Sequence, residues 1–214
     1  MKNIFIAALT LAAAGLGQEA PAAAVASEAV KDAPFAADVT IERVQTLFDG
    51  NRIRHATSGR MYRDAAGRTR LETSSGLTIG NPDGGGWELD AERKVAHILT
   101  PPRAGESISP RLVRHTEQLG TQVVEGYSCD GSRISTTIPA GARGNDMEIE
   151  IVSERWFSPE LQEIVLRTQH DPRSGDSTYK LTNIQRGDPP ASLFEVPADY
   201  KLVELPPPVI VETR

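Results

Sequence analysis

Apolar and polar residues alternate with a period of two along most of this chain, and turn residues break the alternation at short intervals. The clearest region reads as three consecutive strands at 148–157, 161–170 and 176–184. Ser158-Pro159-Glu160 turns between the first two, and residues 171–175 turn between the second and third. Proline fixes φ for a turn and cannot donate inside a central strand, while glycine accepts the positive φ that many turns need. In the first of these strands Glu148, Glu150 and Glu154 fall on one side, Ile149 and Ile151 on the other. One wet side and one covered side mark an antiparallel sheet.

The same pattern extends towards the N-terminus. Strands are expected at 39–48 and 52–63, with Asp49-Gly50-Asn51 as the hairpin turn, then at 69–75, 77–79, 87–89 and 94–100. No apolar period of 3.6 residues lasts three turns in this half. Residues 101–110 read as a loop. Residues 111–120 fit either a short helix, capped by Ser109-Pro110 and ended by Gly120, or an exposed strand leading into 121–127. The strand reading is the one carried forward. Asp130-Gly131 is read as a turn before a strand at 132–138, and 139–145 as a loop. Asp188 to Phe194 reads as a Pro-started helical turn whose Leu193 and Phe194 plug one rim of the sheet. The tail from Pro206 is stiff, with 209–211 as an added edge strand. The fold class is therefore mainly β: one large, curved antiparallel sheet with one or two short helices.

Composition adds a compartment. Lys2, an apolar run of mostly small side chains and the exits Ala22-Ala23-Ala24 and Ala24-Val25-Ala26 read as a secretory signal peptide over 1–26. The run is shorter than the ~20 apolar residues of a membrane span. A single domain at 27–204 and a Pro-rich extended tail at 205–214 follow, placing the mature protein in the periplasm or outside the cell. The formal charge of −6 and an aromatic content of 5% argue against a concentrated basic, base-stacking surface, so nucleic acid is not an expected partner. The one cysteine, Cys129, cannot form an internal disulfide; it shares a strand face with Tyr127 and reads as a small buried hydrophobe.

Motifs for chemistry do not emerge. His55, His97, His115 and His170 stand on four separate strands with no ligand spacing, and no cofactor or metal site is expected. Gly84-Gly85-Gly86 is not followed by Lys-Ser or Lys-Thr, so it reads as a loop and not as a phosphate cradle. There is no Gly-x-Ser-x-Gly elbow, and no catalytic residue is assigned. Arg52, Arg54, Arg60, Arg68 and Arg70 make the second and third strands basic. They read either as cross-strand partners of acidic neighbours or as a docking patch for an anionic headgroup or partner.

Several segments together resemble a known family. Residues 34–39, Leu119-Gly120 with Glu125-Gly126-Tyr127-Ser128-Cys129, Trp156-Phe157-Ser158-Pro159-Glu160, and Asn183-Ile184 with residues 190–197 are similar to segments of outer-membrane lipoprotein-sorting proteins of the LolA/LolB and RseB kind. The nearest resemblance is to uncharacterised secreted bacterial proteins. What it implies is a half-barrel whose hollow holds a hydrophobic or amphipathic ligand, such as a lipid or a lipoprotein acyl chain, without covalent chemistry. A structural or regulatory domain that docks another envelope protein is the alternative. Trp87, Leu89, Ile149, Ile151, Phe157 and Phe194 are the residues expected to line the hollow, or to fill it as plain core.

Overall fold

The structure, a computed structural model, describes residues 30–74, 76–100 and 112–204. These hold twelve strands: β1 (Phe35–Thr46), β2 (Arg52–Arg63), β3 (Thr69–Thr73), β4 (Gly76–Gly80), β5 (Gly86–Asp90), β6 (Val95–Leu99), β7 (Val113–Val124), β8 (Tyr127–Ile138), β9 (Ile149–Ser158), β10 (Glu163–Asp171), β11 (Gly175–Arg186) and β12 (Lys201–Glu204). All twelve belong to one sheet, ordered β12-β6-β5-β4-β3-β2-β1-β11-β10-β9-β8-β7. Two meanders, β1 to β6 and β7 to β11, meet where β1 pairs with β11. Every pairing is antiparallel except β12 on β6. The sheet is curved and not closed, a half-barrel.

Most hairpins fall where the alternation places them, and the departures have local causes. β1 starts at Phe35, ahead of the expected residue 39, because Phe35, Ala37 and Val39 alternate inward across two alanines that sequence propensity discounts. Residues 113–124 form one continuous strand, so the strand reading of this region holds and the helical alternative does not. The turn expected at Asp130-Gly131 lies instead at Glu125-Gly126, where both residues take left-handed φ (51° and 85°), as a tight hairpin turn requires. Asp130 and Gly131 are inside β8. Gly131 lacks a Cβ for another reason: one built there would lie 2.4 Å from the Trp156 ring. The edge strand β12 was not expected. The proposed edge strand at 209–211, the signal segment and the loop at 101–110 lie outside the described residues.

Register assigns each side chain to a face, because directly paired residues point the same way. Ala37, Met61 and Leu71 form one row and lie on what is called here the inner face. Ala36, Tyr62, Arg70, Ile79, Trp87 and Ile98 form the adjacent row, on the outer face. Two contacts, one at the rim and one between inner-face side chains, fit a sheet curved toward the inner face. Arg63 ends β2 and Glu163 begins β10, with β1 and β11 between them. Three flat strand steps span ~14 Å, well beyond one side chain. Yet the Arg63 guanidinium meets the Glu163 carboxylate at 3.1 Å. The Tyr179 hydroxyl likewise donates to Met61 Sδ at 3.3 Å across the intervening β1.

The two faces are buried in different places. On the inner face Phe35, Ala37, Val39, Met61, Leu71 and Leu181 form a packed cluster under the Arg63 rim. On the outer face Ile79, Leu89 and Ala96 pack under Phe194 from the 3₁₀ turn Ala191–Phe194. Leu193 and Phe194 therefore cover the backs of the short strands and do not plug a rim of the hollow. Arg70 donates to the Leu193 carbonyl at 2.8 Å, and Arg68 lies over the Phe194 ring at 5.1 Å, fastening the turn to the sheet.

Candidate functional site

At the β1 end, the hollow is solid protein. Phe35 and Leu181 are fully buried, and the Arg63 guanidinium lies 4.8 Å over the Phe35 ring. Arg63 Nε donates to the Ala33 carbonyl at 3.0 Å, one terminal nitrogen to the Gln162 carbonyl at 3.2 Å, and the other to the Leu161 carbonyl. Burial pushes the Arg63 pKa down, opposed by the Glu163 charge. Burial likewise raises the Glu163 carboxyl above the usual carboxylate range, and Arg63 opposes that rise. This cluster is a structural clasp that ties β2 to the β9–β10 turn.

Away from that rim the inner face opens. Ile149 and Ile151 on β9, Ile134 on β8 and Ile41 on β1 are only half-buried, and register puts them all on the inner face. Among them stand polar side chains. Arg155 pairs directly with Arg167 on β10, which pairs with Tyr179 on β11. Ser153, two residues before Arg155 on the same face, pairs with Gln169. Arg114 on β7 reaches this face through its pairing with Thr136, itself opposite Ile151.

The electrostatics here are unbalanced. The Arg155 pKa is pushed down, first by burial, then by the like charges of Arg167 and Arg114. Arg167 stacks over the Tyr179 ring at 5.8 Å, and burial drives the Tyr179 hydroxyl pKa far up. Ser153 is 7% exposed, and its Oγ has no hydrogen-bond partner; Arg155 Nε is equally buried and equally unpartnered. Buried polar atoms are nearly always satisfied in folded proteins, so two orphans side by side need a reason.

The six residues expected to line the hollow divide between the faces. Ile149, Ile151 and Phe157 lie on the inner face by alternation along β9, whereas Trp87, Leu89 and Phe194 belong to the outer cluster. Four of the five basic residues in and beside β2 and β3 have acidic partners: two across strands on the outer face, one within the β2–β3 turn and one along β3. Arg54 pairs with Glu42, Arg60 with Asp38 at 3.5 Å, Arg68 with Asp64 at 2.6 Å and Arg70 with Glu72 at 2.6 Å. Arg52 has no ionic partner among the described residues. An open depression of about 300 Å³ on the outer side of β9 to β11 is lined by residues including Glu154, His170 and Asp176. His170 Nδ1 and the Asp176 carboxylate are 2.7 Å apart and well exposed there. Among the described residues no group of three or more His, Cys, Asp or Glu is placed to hold a metal. Cys129 is fully buried, and burial raises its thiol pKa.

Ser153, Arg155, Arg167 and Arg114 escaped the sequence reading. One signal was present: alternation from Ile149 and Ile151 carries Ser153 and Arg155 to the covered side of β9. The Arg155–Arg167 pairing depends on register between strands, which alternation within one strand does not contain.

Comparison with solved structures finds distant likenesses. The chain is similar to an uncharacterized conserved protein from Thermus thermophilus, with a TM-score of 0.49 and 13% identity over 80% of this chain and 90% of that one. It is similar to the Pseudomonas aeruginosa MucA/MucB complex structure, with a TM-score of 0.42 and 12% identity over 83% of this chain and 60% of that one. It is also similar to a LolA superfamily protein from Nitrosomonas europaea, with a TM-score of 0.40 and 7% identity over 79% of this chain and 93% of that one. No protein-family model and no curated protein sequence matches the chain. Among the described residues no helix is long and apolar enough to cross a membrane.

Proposed function

We propose that this protein is a non-catalytic binding module of the cell envelope, working in the periplasm or outside the cell, whose inner sheet face takes up an amphipathic ligand. The domain at 27–204 carries the binding face, and the segments at 1–26 and 205–214 serve as signal peptide and tail. One observation supports this reading above others. The inner face is packed solid under the Arg63 rim, yet leaves Ile134, Ile149, Ile151 and Phe157 half-buried towards β7. A concave, partly apolar surface with a few polar groups is the usual form of a ligand site. In this reading Ile149, Ile151 and Phe157 keep the lining role, while Trp87, Leu89 and Phe194 hold the back of the sheet together.

Protein purified from its native host envelope is expected to carry a bound amphiphile visible by native mass spectrometry and removable by organic solvent. Stripped protein is then expected to take up a fluorescent single-chain fatty acid. Absence of both would overturn the ligand reading.

A second reading rests on β7. Among the described residues this strand is an open edge, twelve residues long, and Val113 and Val123 are 62% and 73% exposed. A long unpaired edge is a template for strand addition by another chain. Docking of an extended segment of another envelope protein there is tested by cross-linking in cells, with Val123→Lys expected to abolish the cross-link.

A further inference from the structure

The unbalanced charge on the inner face suggests what end of a ligand would sit there. We propose that Arg155, Arg167 and Arg114, with the Ser153 hydroxyl, bind the anionic headgroup, carboxylate or phosphate, of a single-chain amphiphile whose hydrocarbon lies over Ile134, Ile149 and Ile151. This rests on the inner face being the ligand site.

Three features converge. First, like charges directly opposite on paired strands repel, and Arg155 and Arg167 are such a pair with no carboxylate among the described residues bound to either. The outer face of the same sheet shows the contrast: there Arg133 on β8 is clamped by Glu154 at 2.8 Å and by Glu117 at 2.8 Å. Second, Ser153 Oγ and Arg155 Nε are buried and unpartnered, one an available hydroxyl donor, the other an available charged donor. Leaving such groups unsatisfied destabilises the ligand-free protein. An anion placed there accepts from these donors and offsets the repulsion between the two arginines. Third, the apolar strip adjoins the arginines on the same face: Ile134 pairs with Ser153, and Ile151 precedes Ser153 by two residues. A headgroup on the arginines therefore leaves its chain on isoleucine. Arg167, already held over the Tyr179 ring, is oriented before any ligand arrives, which limits the ordering cost of binding.

The test uses the full mature chain, stripped of endogenous ligand, and four probes: a fluorescent fatty acid, a monoalkyl phosphate of the same chain length, a neutral alkyl maltoside of that length, and inorganic phosphate. The two anionic amphiphiles are expected to bind at least tenfold more tightly than the maltoside, equivalent to about 1.4 kcal/mol. Arg155→Gln and Arg167→Gln are each expected to erase most of that preference, by weakening the two anionic amphiphiles far more than the maltoside. Arg114→Gln, on an exposed strand where folding is not at stake, is expected to reduce it by a smaller factor. Equal binding of charged and neutral amphiphiles by the wild type overturns the headgroup site while leaving the ligand reading intact. A preference that survives all three substitutions does the same. Arginine-dependent binding of inorganic phosphate with no amphiphile bound also overturns the proposal, in favour of a free-anion site. If no probe binds, the inner-face ligand reading fails with it.

Discussion

Arg155 and Arg167 stand directly opposite each other across β9 and β10, on the concave side of the sheet, with no carboxylate among the described residues bound to either. Burial and the neighbouring like charges both disfavour the charged Arg155 side chain. Such an arrangement lowers stability and persists where function requires it. Arg155→Met, which keeps the apolar stem and removes the charge, is expected to stabilise the ligand-free protein by roughly 1–2 kcal/mol, since replacing buried charge by apolar volume is often favourable. Urea denaturation of stripped protein measures this. Lower stability in the variant would mean that Arg155 holds the fold.

Arg63 is the opposite case, a buried arginine with every direction of its guanidinium occupied. It holds the Ala33, Leu161 and Gln162 carbonyls and the Glu163 carboxylate, and it is 2% exposed. Arg63→Met strands three carbonyls and a buried acid, so a loss of about 3–5 kcal/mol is expected. Arg63→Met combined with Glu163→Leu is expected to cost less than the sum of the two single changes, because each removes the other's unpaired charge. A double-mutant cycle by chemical denaturation reads the coupling.

Gly131 carries a steric requirement inside a strand. A Cβ there would lie 2.4 to 2.9 Å from three atoms of the Trp156 ring, the residue with which Gly131 pairs. The ring is not the far end of a flexible chain and has to move as a body. Gly131→Ala is expected to destabilise by about 1–3 kcal/mol. Trp156→Leu in the same background should recover part of that loss, as read by thermal unfolding.

The hairpin framework was legible because turn chemistry and alternation are local. Asp49-Gly50-Asn51, Ser158-Pro159-Glu160 and the alternation of Glu150 with Ile149 and Ile151 each report on their own few residues. The site was less legible because it depends on register and on face. An apolar residue reads the same whichever side of the sheet is covered, so Trp87, Leu89 and Phe194 could not be told from Ile149 and Ile151 before the outer cluster was known. The arginines close in sequence in and beside β2 and β3 read as a basic patch, yet Glu42, Asp38, Asp64 and Glu72 partner four of them. Arg155 and Arg167 are distant in sequence and meet only once β9 and β10 are paired. The displaced Asp130-Gly131 turn has a similar cause: Asp-Gly is a strong local turn signal, but here the glycine serves a tertiary contact.

Acid sensitivity is expected at the β10–β11 turn. Asp171 ends β10 and its side chain is 8% exposed. Burial alone would raise its pKa, but hydrogen bonds from Arg173 outweigh that and hold the carboxyl below its usual range. The backbone N–H of Arg173 donates to Oδ1 at 2.9 Å and the guanidinium to Oδ2 at 2.9 Å. A carboxylate with a lowered folded-state pKa contributes stability that is present above its unfolded value of about 3.9 and lost as pH falls through the lower folded value. Asp171→Asn removes the charge-assisted bonds while keeping an acceptor for the turn. Relative to wild type it is expected to lose about 1–2 kcal/mol at neutral pH, with the deficit shrinking steadily once pH drops below about 4. Urea midpoints of the two proteins from pH 7 to pH 3 measure that convergence. Parallel curves across the range would show that the turn draws nothing from the carboxylate charge.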